Sequence, residues 1–211
     1  MSKAAIRAVL FDYGGVIAEE GFYNGLVELA KEQSLHVRSM PEEGMKAVYD
    51  SAFVLGHGTA AEFWTLLRKR TGLEGDDDFL TGRINDGFQI RHWIIELVRS
   101  LRAKGYVTGI LSDQTHWLNE LDKRDHFFRE FDHVYNSYYL GKGKSDPSLF
   151  TDVVNDLKLQ PGEVLFTDDS EKNVQTARKM GLRAILYVDH EGFVAELEDV
   201  LKEEFEPRLF R

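Results

Sequence analysis

The chain contains no cysteine, so disulfides, thiolate chemistry and cysteine-ligated zinc are excluded from the start. That absence fits a reducing cytoplasm, and cytoplasmic is the location expected. Positive charge is also scarce. Lys and Arg number 26 against 36 Asp and Glu, a formal net charge of −10. A nucleic-acid backbone calls for a basic stripe, and an anionic membrane for a basic face. Neither is present, so neither partner is expected. No apolar run reaches the length needed to span a bilayer, and the short run after Met1 is too brief for a secretory signal. Only 4 of the 211 residues are proline, and there is neither an internal repeat nor a low-complexity segment. With 43% apolar and 29% charged residues, the composition is that of an ordinary globular chain.

What is present alternates. Ala8 to Phe11 is a short continuous apolar run that stops at Asp12 and is closed by Gly14 and Gly15, the pattern of a buried strand. Helical periodicity follows. Phe22, Leu26, Leu29 and Ala30 share a face, and Thr59 with Glu62 forms a capping box ahead of Phe63, Trp64, Leu66 and Leu67. Residues 74–78, around Gly75, read as an exposed turn. Trp93, Ile94, Leu97, Val98 and Leu101 line a further helix that Gly105 stops. Strands are then expected at 106–111 ending at Ser112, at 133–135, at 164–166 ending in Thr167-Asp168-Asp169, and at 184–188. Helices 149–157, started by Pro147, and 173–180 fall between them. Strands alternating with helices imply an α/β fold with a doubly wound parallel sheet. Residues 1–17 and 89–211 are assigned to the α/β core and residues 18–88 to an all-helical insertion. The charged tail 203–211 carries no assignment.

In open α/β sheets ligands bind beyond the carboxyl ends of the strands. Asp12, Ser112 and Asp168-Asp169 stand at such ends, and the strand before the 141–144 loop brings Lys144 toward them. Each has an ordinary structural role too: a strand-end Asp caps a turn, Ser112 precedes an expected helix start at 113–115, Asp169 or Ser170 N-caps a helix, and a loop Lys is usually solvated. Adjacent carboxylates at Asp168 and Asp169 repel without a cation, and hard oxygen ligands suit Mg²⁺. The seven histidines (His36, His57, His92, His116, His126, His133 and His190) lack zinc-ligand spacing; His116 is the one placed to overhang the site.

The order of these segments resembles the haloacid dehalogenase superfamily of aspartate-nucleophile phosphatases. Leu10-Phe11-Asp12-Tyr13-Gly14-Gly15-Val16-Ile17 is similar to its first motif and Gly109-Ile110-Leu111-Ser112-Asp113 to its second. Lys144-Ser145-Asp146-Pro147 is similar to the third, usually Lys-Pro-Asp-Pro, and Leu165-Phe166-Thr167-Asp168-Asp169-Ser170 with Asn173 to the fourth. The resemblance implies a Rossmann-like core with a small helical cap inserted between motifs one and two. It implies that Asp12 attacks phosphorus and forms an aspartyl-phosphate. Mg²⁺ would be held by Asp12, the Gly14 carbonyl and Asp169, with Asp168 in the first or second coordination shell. Ser112 and the Asp113 amide would hold a phosphoryl oxygen, and Lys144 would neutralise developing charge. The substrate class implied is a small phosphate ester.

One departure stands out. The family's phosphatases usually carry a second Asp two residues after the nucleophile as general acid, and this chain has Gly14 there. Such an acid contributes about 10²–10⁴-fold. Glu19, Glu20 or Asp113 could replace it, or the leaving group could need little protonation, as in acyl or aryl phosphates. Sugar-1-phosphate phosphatases of the superfamily also carry Gly here, so a sugar phosphate is one substrate the resemblance allows. Two other readings share the fold: a metal-free 2-haloacid dehalogenase, against which the Asp168-Asp169 pair speaks, and a non-catalytic binding or regulatory module. Glu19, Phe22 and Tyr23 are the candidates for substrate contacts from the cap.

Overall fold

In the computed structural model residues 4–205 are described. The chain enters through β1 (Ala8–Phe11), which is buried along its whole length. Four helices follow: α1 (Gly21–Glu32), α2 (Met40–Asp50), α3 (Ala60–Thr71) and α4 (Asp77–Asp86). The rest alternates: α5 (His92–Ala103), β2 (Val107–Ser112), α6 (Trp117–Asp125), β3 (His133–Asn136), the single turn α7 (Ser137–Leu140), α8 (Ser148–Asp156), β4 (Val164–Asp168), α9 (Glu171–Lys179), β5 (Arg183–Leu186) and α10 (His190–Leu201). The five strands form one sheet in the order β3-β2-β1-β4-β5, every neighbouring pair parallel. The expected doubly wound α/β fold is therefore present.

The sheet is apolar on both faces because both are covered. Val9 and Phe11 of β1 pack with α5 and α10, whereas Ala8 and Leu10 pack with α8 and α9. This is the two-residue alternation of a strand. Register then decides what meets at the sheet's carboxyl edge. Phe11 pairs with Ile110 on one side and Thr167 on the other, so Asp12 emerges between the ends of β2 and β4.

The four helices between β1 and α5 stack over that edge. The Thr59–Glu62 capping box is formed as expected, and Asp76, within the expected turn, caps α4 by accepting from the Phe79 amide. Their interior is aromatic: Phe53, Phe63 and Trp64 meet Trp117, the first residue of α6, with Phe53 and Trp117 centroids 5.3 Å apart and Trp64 and Trp117 5.9 Å apart. The two connections between this layer and the sheet are tied together. Ala18 forms an antiparallel bridge with Ile90, and the Glu19 amide donates to the Gln89 carbonyl at 2.9 Å. Arg91 donates to the carbonyls of Gly15 and Val16 and pairs with Glu19.

One helix starts later than expected. Residues 113–116 form a loop, and α6 begins only at Trp117. The loop is held open from helical geometry by Thr115, whose hydroxyl accepts from the Trp117 amide at 3.2 Å and whose carbonyl accepts from Asn136 at 3.0 Å. At the other end Glu203 pairs with Lys104 at 2.7 Å; the remainder of the unassigned tail, from residue 206, lies outside the described residues. No helix among the described residues is long and apolar enough to cross a membrane.

Candidate active site

The Asp12 amide donates to the Thr167 carbonyl at 2.8 Å, continuing the ladder one residue past β1 and aiming the side chain out of the sheet edge. Its Oδ1 accepts from the Tyr13 amide at 2.7 Å and from the Ser112 hydroxyl at 2.5 Å. Its Oδ2 lies 2.6 Å from Lys144 Nζ, which is also 2.6 Å from Asp168 Oδ2. Lys144 is thus no surface lysine; it is 2% exposed and bridges two carboxylates that enter from different strands. Asp168 is fully buried and further satisfied by the Ser170 amide at 2.8 Å and by Asn173 Nδ2 at 3.1 Å to Oδ1 and 3.2 Å to Oδ2.

Three buried charges in a small volume perturb one another. Burial alone would depress the Lys144 ammonium, but Asp12 and then Asp168 outweigh it and hold the group protonated far above its ordinary range. Burial pushes the Asp12 carboxyl up, Lys144 opposes that push, and the Asp168 charge adds to it. The repulsion expected at Asp168 is therefore offset first by a lysine of the chain itself.

Asp169, next along, points the other way, into the pocket. Its Oδ2 lies only 2.0 Å from where a Cβ at Gly15 would stand, and Gly15 has φ +77. Both observations require glycine there. Removal of its carboxyl from water, and then Asp168, raise its pKa. Asp12, Asp168 and Asp169 each present an oxygen within 4.8 Å of the others. Three carboxylates stand against one ammonium, so with all three ionised the cluster would carry two uncompensated negative charges. This hard-oxygen set suits a divalent cation such as Mg²⁺. Asp168 accepts from Lys144, Ser170 and Asn173 and is fully buried, and Asp12 accepts from Tyr13, Ser112 and Lys144, whereas Asp169 turns its carboxylate to the pocket.

The pocket around this cluster has a volume of about 520 Å³ and is lined by Asp12, Gly14, Ser112, Asp113, Lys144 and Asp169, so that of the sequence-predicted site residues Asp168, fully buried behind Lys144, is not on its wall. Asp113 ties the 113–116 loop to its surroundings, its carboxylate accepting from the Lys144 amide at 2.9 and 3.1 Å and from the Tyr49 hydroxyl at 2.9 Å. Glu20 and Phe22 line the pocket as well. Glu20 Oε2 stands 2.8 Å from where a Gly14 Cβ would be, beside Phe88 at 3.3 Å. Burial raises its pKa, against the opposing bond from the Tyr23 amide. Glu19 is instead paired with Arg91. Neither it, Tyr23 nor His116 is among the lining residues; His116 sits against Phe53 and Tyr138 and 3.5 Å from Glu120. Sequence reasoning missed Met45, Val48, Tyr49 and Val54, which line the opposite wall, and Trp117 of α6, which lines the core side. The i, i+3, i+4 spacing of the first three was a legible signal, but not of what the stripe faces.

A parallel α/β sheet with a buried carboxylate, a buried lysine and a carboxylate cluster at its carboxyl edge, under an inserted helical layer, is the arrangement of a class of hydrolases. The sequence profile of the haloacid dehalogenase-like hydrolase family matches residues 6–181, and the chain belongs to that family. Among curated relatives it is 25% identical over 95% of its length to bifunctional epoxide hydrolase 2 of Mus musculus, covering 40% of that protein. It is 33% identical over 53% of its length to the Rattus norvegicus protein of the same name, covering 21% of it. The chain thus spans less than half the length of these relatives. Among solved structures, a HAD family enzyme, bt-2542 of Bacteroides thetaiotaomicron, superposes with a TM-score of 0.71 at 22% identity, over 92% of this chain and 99% of that one. The same protein, solved with magnesium and inorganic phosphate, gives 0.68 over 98% of this chain and 100% of that one, also at 22% identity. At these identities the likeness is one of fold.

Proposed function

We propose that the chain is a Mg²⁺-dependent phosphatase of small phosphomonoesters, with Asp12 as nucleophile. The observation that carries this reading is the convergence of Asp12, Ser112, Lys144 and Asp169 on one pocket, with three carboxylates against one ammonium. A relative of the same fold that holds magnesium and inorganic phosphate supports it. In this reading Asp12, Asp169 and the Gly14 carbonyl hold the cation, which supplies charge neutralisation for the phosphoryl oxygens when bound. Ser112 and the Asp113 amide hold one phosphoryl oxygen, and Lys144 offsets the charge spread over the others. The bond from an Asp12 oxygen to phosphorus forms as the bond to the leaving oxygen breaks. Glu20, in the space that Gly14 leaves open, gives that oxygen its proton. Water then attacks the aspartyl-phosphate, returns a proton to Glu20 and frees phosphate and the Asp12 carboxylate. Glu19 and Asp113 are poorer donors, one paired with Arg91 and the other with Tyr49 and the Lys144 amide. Residues 18–88 act as the cap.

The test is a phosphate-release screen over metabolite and aryl phosphates with Mg²⁺, using Asp12→Asn as blank. The variant should lose activity by on the order of 10⁴-fold, and EDTA should abolish release until Mg²⁺ is restored. Release that matches the blank on every substrate would defeat the reading. Activity on 2-haloacids that survives EDTA would favour a metal-free dehalogenase instead.

A further inference from the structure

The pocket has two unlike walls. The core wall carries Asp12, Ser112, Lys144 and Asp169, together with rim residues such as Gln114, Ser145 and Lys172. The wall supplied by the helical layer is carbon. Phe22 comes from α1 and Val54 from the turn after α2, while Met45, Val48 and Tyr49 form one stripe of α2. The single hydroxyl on that wall, of Tyr49, is given to Asp113 at 2.9 Å, so Tyr49 turns its ring to the cavity without a free polar atom. Glu20 is the only ionisable group from that side apart from Tyr49, and it stands beside Gly14 at the reacting centre rather than over the space beyond. Met45 is 48% and Tyr49 36% exposed, so α2 holds carbon against water at the mouth.

A polyol placed against this wall would exchange water for carbon at each hydroxyl, a loss with nothing to offset it. A hydrocarbon would gain the area it covers. We infer that the substrate is a phosphomonoester whose organic part is hydrocarbon, lying against Phe22, Met45, Val48, Tyr49 and Val54 while its phosphate meets Asp12 and Lys144. This rests on the phosphatase reading of the same pocket and runs against the sugar phosphate that Gly14 alone would allow.

The experiment is a series of ethyl, butyl and hexyl phosphate set against glycerol phosphate and glucose phosphate, with Mg²⁺ and Asp12→Asn as blank. The matching alkylphosphonates, which cannot be hydrolysed, are titrated by calorimetry in parallel. kcat/KM should rise by about fourfold per methylene, and phosphonate affinity should follow the same slope. Met45→Gln, on a half-exposed position, should flatten the slope and raise KM on hexyl phosphate about fivefold. Release above the blank that is flat with chain length, or that favours the polyol phosphates, overturns the inference and leaves the phosphatase reading standing. Phosphonate affinity that rises with length, without release of any phosphate, overturns the phosphatase reading and with it the substrate, leaving only the apolar contact between the wall and the chain of the ligand. No release and no length-dependent binding overturn both.

Discussion

On the core side of the pocket the Asp168 carboxylate has named donors on both oxygens, and Lys144 has a carboxylate on two sides. On the side of the helical layer order comes from ring packing: Phe63 lies 4.6 Å from Trp64 and 6.1 Å from Phe53, with polar links across to the core such as Tyr49 to Asp113 and Ser137 to the Val54 carbonyl. A charge network holds atoms to a few tenths of an ångström but fails when one member is lost. An apolar wall tolerates changes of shape and volume and loses only area. The proposed function would place the chemistry on the first kind of scaffold and recognition on the second.

Lys144→Met gives the largest expected effect. It keeps volume but leaves Asp12 and Asp168 facing each other unpaired. Breaking such a buried pair costs about 3–5 kcal/mol, so thermal unfolding should fall by roughly 10 °C and phosphate release should drop to the blank. A variant as stable as the parent would mean that the network is held by something other than charge. Phe63→Ala strikes the other scaffold. Its cost in stability is similar, about 3–5 kcal/mol from denaturant unfolding. Turnover of ethyl phosphate by the folded fraction at low temperature should nevertheless stay within about tenfold. Loss as complete as for Lys144→Met would erase the contrast between the two walls.

The smallest effect lies at their junction. Burial raises the Glu20 carboxyl in the folded chain, whereas in the unfolded chain it titrates near the ordinary value of about 4.3. The folded state therefore keeps a proton that the unfolded state has lost, and stability falls as pH rises from the ordinary range through the folded value. Glu20→Gln removes that dependence. It should leave the melting temperature unchanged below about pH 4 and raise it by about 2 °C at pH 8, measured without metal. A gain of equal size at both pH values would show that Glu20 is not a buried acid.

The core was more legible than the cap because strands buried on both faces leave continuous apolar runs, and a reactive residue after such a run is placed by topology alone. Asp12, Ser112 and Asp168 could be located in this way. The different surroundings of Asp168 and Asp169 could not, since adjacency in sequence hides that successive residues at a strand end point apart: the first meets Lys144 and Asn173, the second Gly15. Lys144 itself gives no local sign that it is buried. The bond from Tyr49 to Asp113 joins residues 64 apart and leaves no pattern in the chain. The start of α6 was misplaced because the Thr115 hydroxyl competes for a helical amide, a local bond that outranks helix propensity.

The paired passages at Ala18 and Ile90 make a two-ply stem that carries the whole helical layer. Backbone bonds on either side of that bridge, from Glu19 to Gln89 and from Arg91 to Ile17, tie the two plies edge to edge. Arg91 clasps the foot of that stem, gripping the carbonyls of Gly15 and Val16 a few residues from Asp12. That foot also adjoins the glycine on which the Asp169 carboxylate rests, so one short stretch of backbone joins the root of the helical layer to the carboxylate cluster.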